Sequence, residues 1–117
     1  MNPNNPVNHV NVVSLEKKIR GVNMICNVSL QVLPNVPEAD LYHVVDKVID
    51  LIRESGVNFI VGPMETTMEG ELHLLLEIVE KAQDICLENG ATRIISVVKI
   101  DYKAGGVTID EKIQKYR

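Results

Sequence analysis

The chain has 117 residues, 45% of them apolar, and a formal charge of −4, a size that suits one domain with a core of its own and leaves no room for two. An acidic pI near 5.3 and one short basic cluster, Lys17-Lys18-Ile19-Arg20, exclude a broad nucleic-acid surface, which needs a basic stripe. No apolar run approaches the roughly 20 residues that span a bilayer, and the Asn-rich amino terminus has no signal-peptide core, so the expectation is a soluble cytoplasmic protein with neither nucleic-acid nor membrane partners.

Residues 1–13 carry Pro3 and Pro6 and show no hydrophobic period. Residues 1–23 are therefore expected to be an amino-terminal extension, with one or two helical turns from Ser14 to Arg20, ahead of a single domain over 24–117. From Met24 to Leu33 the residues alternate, with Cys26, Val28, Leu30 and Val32 on one side and Asn27, Ser29 and Gln31 on the other, which predicts a strand with one polar face. Pro34-Asn35-Val36-Pro37 breaks it. Glu38 to Ser55 then places Leu41, Val44, Val45, Val48 and Ile52 at helical spacing, with acids Glu38 and Asp40 in the first turn and Ser55-Gly56 at the stop, a pattern that suits the helix dipole and its left-handed cap.

Val57 to Val61 reads as a second strand, Gly62-Pro63 as a turn, and Glu65 to Glu69 as a third strand, so a hairpin is expected. A second helical period runs from Glu71 to Asn89 through Leu72, Leu75, Leu76, Val79, Ala82 and Cys86, stopped by Asn89-Gly90. Arg93 to Lys103 is the fourth strand, and Thr108-Ile109-Asp110-Glu111 a capping box for a short terminal helix. Strand, helix, strand, strand, helix, strand is the order of an α+β ferredoxin-like βαββαβ sandwich. Right-handed crossovers give an antiparallel sheet in order 4-1-3-2 with both helices on one face. The fourth strand is apolar on both sides, Ile94, Val98 and Ile100 against Ile95 and Val97, which predicts a sheet covered by a second chain and hence a homo-oligomer.

The chemistry concentrates between Gly62 and Glu71. Alternation puts Glu65, Thr67 and Glu69 on one strand face and Thr66 and Met68 on the other. Glu65 and Glu69, about 13 Å apart at strand rise, are too distant for a carboxylate dyad but leave room for a small ligand, with hydroxyls to orient it. Asn27, Ser29 and Gln31 are expected beside this strand, and Met64 or Phe59 as an apolar wall. Cys26 and Cys86 sit in apolar patterns and read as small core residues. His9, His43 and His73 lack HxxxH or HExxH spacing, so no metal is expected. Ser29 and Ser96 lack a nucleophile elbow, and Gly105-Gly106 is a turn and not a phosphate loop. Arg93 and Lys99 share parity on the fourth strand and could face a phosphate or a carboxylate.

From about Met24 to Ile113 the chain resembles the YkoF-like thiamine-binding family, also described as MTH-type small ferredoxin-like proteins. The resemblance is carried by Ser29 to Pro34, Ser55-Gly56-Val57, Pro63-Met64, Thr66, Met68-Glu69-Gly70-Glu71, Gly90-Ala91-Thr92-Arg93 and Lys99-Ile100-Asp101. It implies a homotetramer built as a dimer of dimers that binds thiamine or its hydroxymethylpyrimidine moiety with no reaction and no cofactor. Where the family commonly places Gly after Pro-Met, this chain has Glu65, which adds an acceptor or partly fills the site. An aminopyrimidine offers an amine donor and ring nitrogens, for which a carboxylate and hydroxyls are suitable partners. The expected ligand residues are therefore Glu69, Thr66 and Thr67, then Ser29, Asn27 and Gln31, with Glu65, Met64 and Phe59 completing the set. The alternatives are a regulatory module that binds another metabolite or modulates a partner enzyme, and an enzyme using Glu65 or Glu69 as general base.

Overall fold

The computed structural model describes residues 24–117; the extension expected over 1–23, its helical turns and His9 lie outside them. Strand β1, Ile25–Pro34, leads through a 3-10 turn at Glu38–Asp40 into helix α1, Leu41–Glu54. The hairpin follows as β2, Asn58–Val61, and β3, Thr66–Glu71, which passes directly into α2, Leu72–Glu88. Strand β4, Ile94–Asp101, and the short helix α3, Ile109–Ile113, complete the chain.

The sheet is antiparallel in the order β2-β3-β1-β4, the expected ferredoxin-like arrangement read from its other edge. The even residues of β1, Cys26, Val28, Leu30 and Val32, and Met68 of β3 meet Val44, Val48 and Ile52 of α1 and Leu75, Ile78, Ala82 and Cys86 of α2 in one buried cluster. These helical positions recur three or four residues apart, so each helix buries a single stripe against the same sheet face. The capping glycines also behave as the sequence implies: Gly56 and Gly90 take φ of +81° and +98° just past α1 and α2, a conformation without penalty for glycine alone.

The third strand starts one residue later than alternation alone suggests and runs further, to Glu71. The reason lies in the hairpin turn, where the Gly62 N–H donates to the Glu65 carbonyl at 2.8 Å, so Glu65 closes the turn and Thr66 is the first residue to pair with β1. A side chain at Gly62 would place its Cβ 2.9 Å from that same carbonyl.

Beyond β4 the chain turns at Gly105 and Gly106, both at positive φ, and comes back along the sheet. The Val107 N–H donates to the Ile25 carbonyl at 2.9 Å, and Val107 and Ile109 are buried. The capping box forms: Thr108 Oγ1 accepts from the Glu111 N–H, and the Glu111 carboxylate accepts from the Thr108 N–H at 2.7 Å.

Candidate functional site at the end of the third strand

The predicted site residues divide between the two faces of the sheet. Cross-strand register pairs Asn27 with Glu69 and Ser29 with Thr67, and also Ser29 with Lys99, so these side chains share the face away from the helices. Thr66 pairs with Leu30 and lies with Met68 on the helix side. Thr66 and Thr67 are adjacent in sequence, yet the pleat sends them to opposite faces, so they cannot hold one ligand together.

On the open face almost every candidate is already occupied by the protein. Ser29 Oγ and Thr67 Oγ1 lie 2.8 Å apart and satisfy one another. Glu69 accepts from the Ile109 N–H at 2.7 Å through one oxygen and from Asn58 Nδ2 at 3.2 Å through the other. Glu65 is paired with Lys99 at 2.8 Å, which answers the question of what Lys99 faces. Asn27 Nδ2 donates to the Val107 carbonyl at 3.4 Å, and Lys112 pairs with Asp101. These contacts hold the carboxy-terminal segment on the sheet and roof a cavity of about 320 Å³ lined by Asn27, Ser29, Thr67, Ile60, Lys99 and Ile109, among others. Asn27 Oδ1 has no partner, but the atom is fully enclosed.

The second cavity, about 260 Å³, lies where β3 has ended and β1 continues. It is enclosed by Leu30 to Leu33 of β1, by Leu41, Tyr42, Val45, Val48, Ile49 and Ile52 around α1, and by the hairpin turn from Val61 to Thr66. Thr66 is 7% exposed and its side chain, on the helix side of the sheet, lines this cavity. That hydroxyl can donate or accept and gives the cavity a polar group at the point where β3 begins to pair. Gln31, Glu65 and Met64 line the same cavity. Met64 and Tyr42 are 74% and 81% exposed at its rim. Phe59 instead packs against the core and lines neither cavity, because its register partner is the buried Met68.

The residues expected to form one ligand site are thus divided between two faces of the sheet and two cavities. Sequence reasoning missed the wall given by α1, of which Leu41, Tyr42 and Val45 lie nearest the helix start; their place in or beside an apolar stripe was the only available signal. No group of three or more His, Cys, Asp or Glu side chains suited to a metal occurs among the described residues, and none of their helices is long and apolar enough to cross a membrane. Burial raises the pKa of both Cys26 and Cys86, with the Asp101 charge adding to the shift at Cys26, so both thiols stay protonated and packed.

These features define a small ferredoxin-like α+β protein with a cleft beside its hairpin into which Thr66 contributes a hydroxyl. The chain belongs to the family of thiamine-binding proteins, whose model matches residues 28–117. It is 67% identical over 92 residues to the UPF0045 protein CPE1503 of Clostridium perfringens, covering 79% of this chain and 97% of that one. Among solved structures it is similar to a domain of unknown function, DUF77, from Bacillus cereus, with 47% identity, TM-score 0.75 and coverage of 80% and 91% of the two chains. It is also similar to a Thermotoga maritima protein, TM0486, described as a candidate for thiamine biosynthesis or salvage, at 40% identity and TM-score 0.74 over 80% of this chain and 99% of that one.

Proposed function

We propose that this protein binds thiamine or its hydroxymethylpyrimidine moiety without catalysing a reaction, and acts as a carrier, buffer or sensor of that compound in the cytoplasm. The observation that carries this reading is a 260 Å³ cleft, apolar on its α1 side and lined by the Thr66 hydroxyl, in a chain from the thiamine-binding family. The cleft is somewhat smaller than the roughly 300–1,000 Å³ of typical ligand pockets, which suits one aromatic ring with the rest of the molecule leaving past Met64 and Tyr42. Val45, Ile49 and Met64 supply apolar walls, and Thr66 supplies a polar edge.

Binding is favoured over turnover by the state of the two carboxylates a general-base reading would need. Glu65 is held by Lys99 and Glu69 by Ile109 and Asn58, so neither is poised to take a proton from a substrate. The assembly we propose is a homo-oligomer, a tetramer built as a dimer of dimers. It is supported by Leu33, Ile95 and Val97, which register places together on the open face at 46%, 53% and 43% exposure.

Titration calorimetry and thermal shift with thiamine and with hydroxymethylpyrimidine test the reading. A ligand at a hundredfold excess over its Kd should stabilise the fold by about 2.7 kcal/mol. Thr66→Val should weaken binding by about fivefold, the worth of one lost neutral hydrogen bond of about 1 kcal/mol. Absence of heat and of thermal shift at millimolar ligand, with the folded protein confirmed, would sink it.

A further inference from the structure

Strand β1 carries an unpaired stretch of backbone inside the cleft, and its hydrogen-bonding sense can be read from the strand's other neighbour. In an antiparallel sheet the N–H and C=O of one residue point to the same neighbouring strand, and successive residues alternate between neighbours. The Asn35 N–H donates to the Arg93 carbonyl at 2.7 Å and its carbonyl accepts from Thr92 at 3.4 Å, both next to β4. The odd residues of β1 therefore bond towards β4, and Leu30, Val32 and Pro34 point their backbone groups towards β3. The ladder with β3 stops at the pair Leu30–Thr66, because Glu65 is drawn into the turn by Gly62.

Pro34 has no N–H to offer, as expected of a proline on an uncovered strand edge. Val32 is thus the one residue past the end of the ladder that presents both a donor and an acceptor to that side. It is only 8% exposed and lines the cleft together with Thr66. Among the described residues no backbone group pairs with it there. A donor and an acceptor side by side, at a buried edge, in a cleft that Thr66 also lines, form a short template for a planar molecule.

We infer that the Val32 N–H and C=O form a two-point clamp for the edge of a 4-aminopyrimidine, the exocyclic amine donating to the carbonyl and the adjacent ring nitrogen accepting from the N–H. This inference rests on the thiamine-binding reading and sharpens it to a ligand class: heteroaromatic rings with an amine beside an unprotonated ring nitrogen. The clamp rejects the corresponding 4-oxo ring, since that ring sets carbonyl against carbonyl and N–H against N–H. Thr66 completes the edge with a hydroxyl that can donate or accept.

The test compares thiamine with its 4-oxo analogue by calorimetry on the full chain, and follows the Val32 amide by ¹⁵N-resolved NMR during the thiamine titration. Expected are a loss of more than about tenfold in affinity for the oxo analogue, since sites built to hydrogen-bond a polar edge discriminate strongly against the wrong one, and a downfield move of the Val32 amide proton on thiamine binding. If thiamine binds while the oxo analogue stays within tenfold, or the Val32 amide does not move, the clamp is overturned and the thiamine reading survives. If neither thiamine nor hydroxymethylpyrimidine binds, the thiamine reading falls and the clamp with it.

Discussion

Replacing Glu69 separates a ligand residue from a structural one. Its carboxylate accepts from the Ile109 N–H at 2.7 Å and from Asn58 Nδ2 at 3.2 Å, which ties α3 to the third strand across 40 residues of chain. A hydrogen bond to a charged group contributes about 1.5–3 kcal/mol. The Asn58 contact is exposed and adds little. Glu69→Ala should therefore cost about 2–3 kcal/mol, because the part-buried Ile109 N–H loses its acceptor. Glu69→Gln keeps an acceptor oxygen and should cost about 1 kcal/mol, since charge-assisted bonds are roughly twice as strong as neutral ones. Urea denaturation gives the totals, and hydrogen exchange should show protection lost first over residues 107–113, where the segment is anchored. Thiamine affinity should stay within twofold in both variants, because Glu69 does not line the cleft. A Gln variant with wild-type urea midpoint and tenfold weaker thiamine binding would refute this reasoning and return Glu69 to the ligand.

Gly62→Ala should destabilise the protein by about 1–3 kcal/mol in thermal or urea melts, because its Cβ would stand 2.9 Å from the Glu65 carbonyl and the turn must shift; an unchanged melt would show that the turn is not fixed by that contact. Leu75→Ala removes a side chain of 0% exposure where α2 meets the sheet and should cost about 2–5 kcal/mol, against less than about 0.5 kcal/mol for the exposed Lys81→Ala on the same helix. Cys26 and Cys86 have folded pKa values raised above the ordinary 9.0, burial being the main cause at both. Their contribution is complete below pH 9.0 and is lost as pH rises from there through the folded values, where the unfolded thiols ionise and the buried ones do not. Replacing both by Ala should flatten that alkaline decline in urea melts; an unaltered slope would refute the assignment. The double variant Ile95→Lys, Val97→Lys should sediment as a smaller species than wild type with its fold intact, and identical sedimentation would count against assembly through the open face.

The fold was legible because its signals are local. Alternation in β1, the helical stripes at Val44-Val48-Ile52 and Leu75-Ile78-Ala82, and glycines at two helix ends each specify an element without reference to the rest of the chain. The site was legible only in part, because two of its decisions are not local. Pleating separates Thr66 from Thr67, which the sequence does encode, but which of the two meets an open cavity depends on where β3 stops pairing. That stop is set by the Gly62–Glu65 hydrogen bond, a matter of turn geometry. Glu69 was the first choice because a carboxylate beside hydroxyls suits an aminopyrimidine, and nothing in its neighbourhood announced an Ile109 N–H arriving from 40 residues away. The Val32 backbone pair carries no side-chain signature at all.

The cleft exists because two strands of unequal length were laid side by side. β1 has ten residues, Ile25 to Pro34, and uses Asn27 to Pro34 to pair with the whole of β4. β3 has only six, since the hairpin takes Gly62 to Glu65 for its turn. The overhang of β1 would expose a hydrogen-bonding edge, which proteins ordinarily blunt or cover. Here Pro34 removes one donor, and α1 with the hairpin turn walls in the remaining Val32 pair. Lengthening β3 by two residues would fill the overhang with strand and raise stability through two more ladder bonds, at the cost of the cleft. A turn that stops β3 early is therefore a structural sacrifice in favour of a recess, and the polar sequence from Pro63 to Thr67 is what permits that stop without burying further apolar surface.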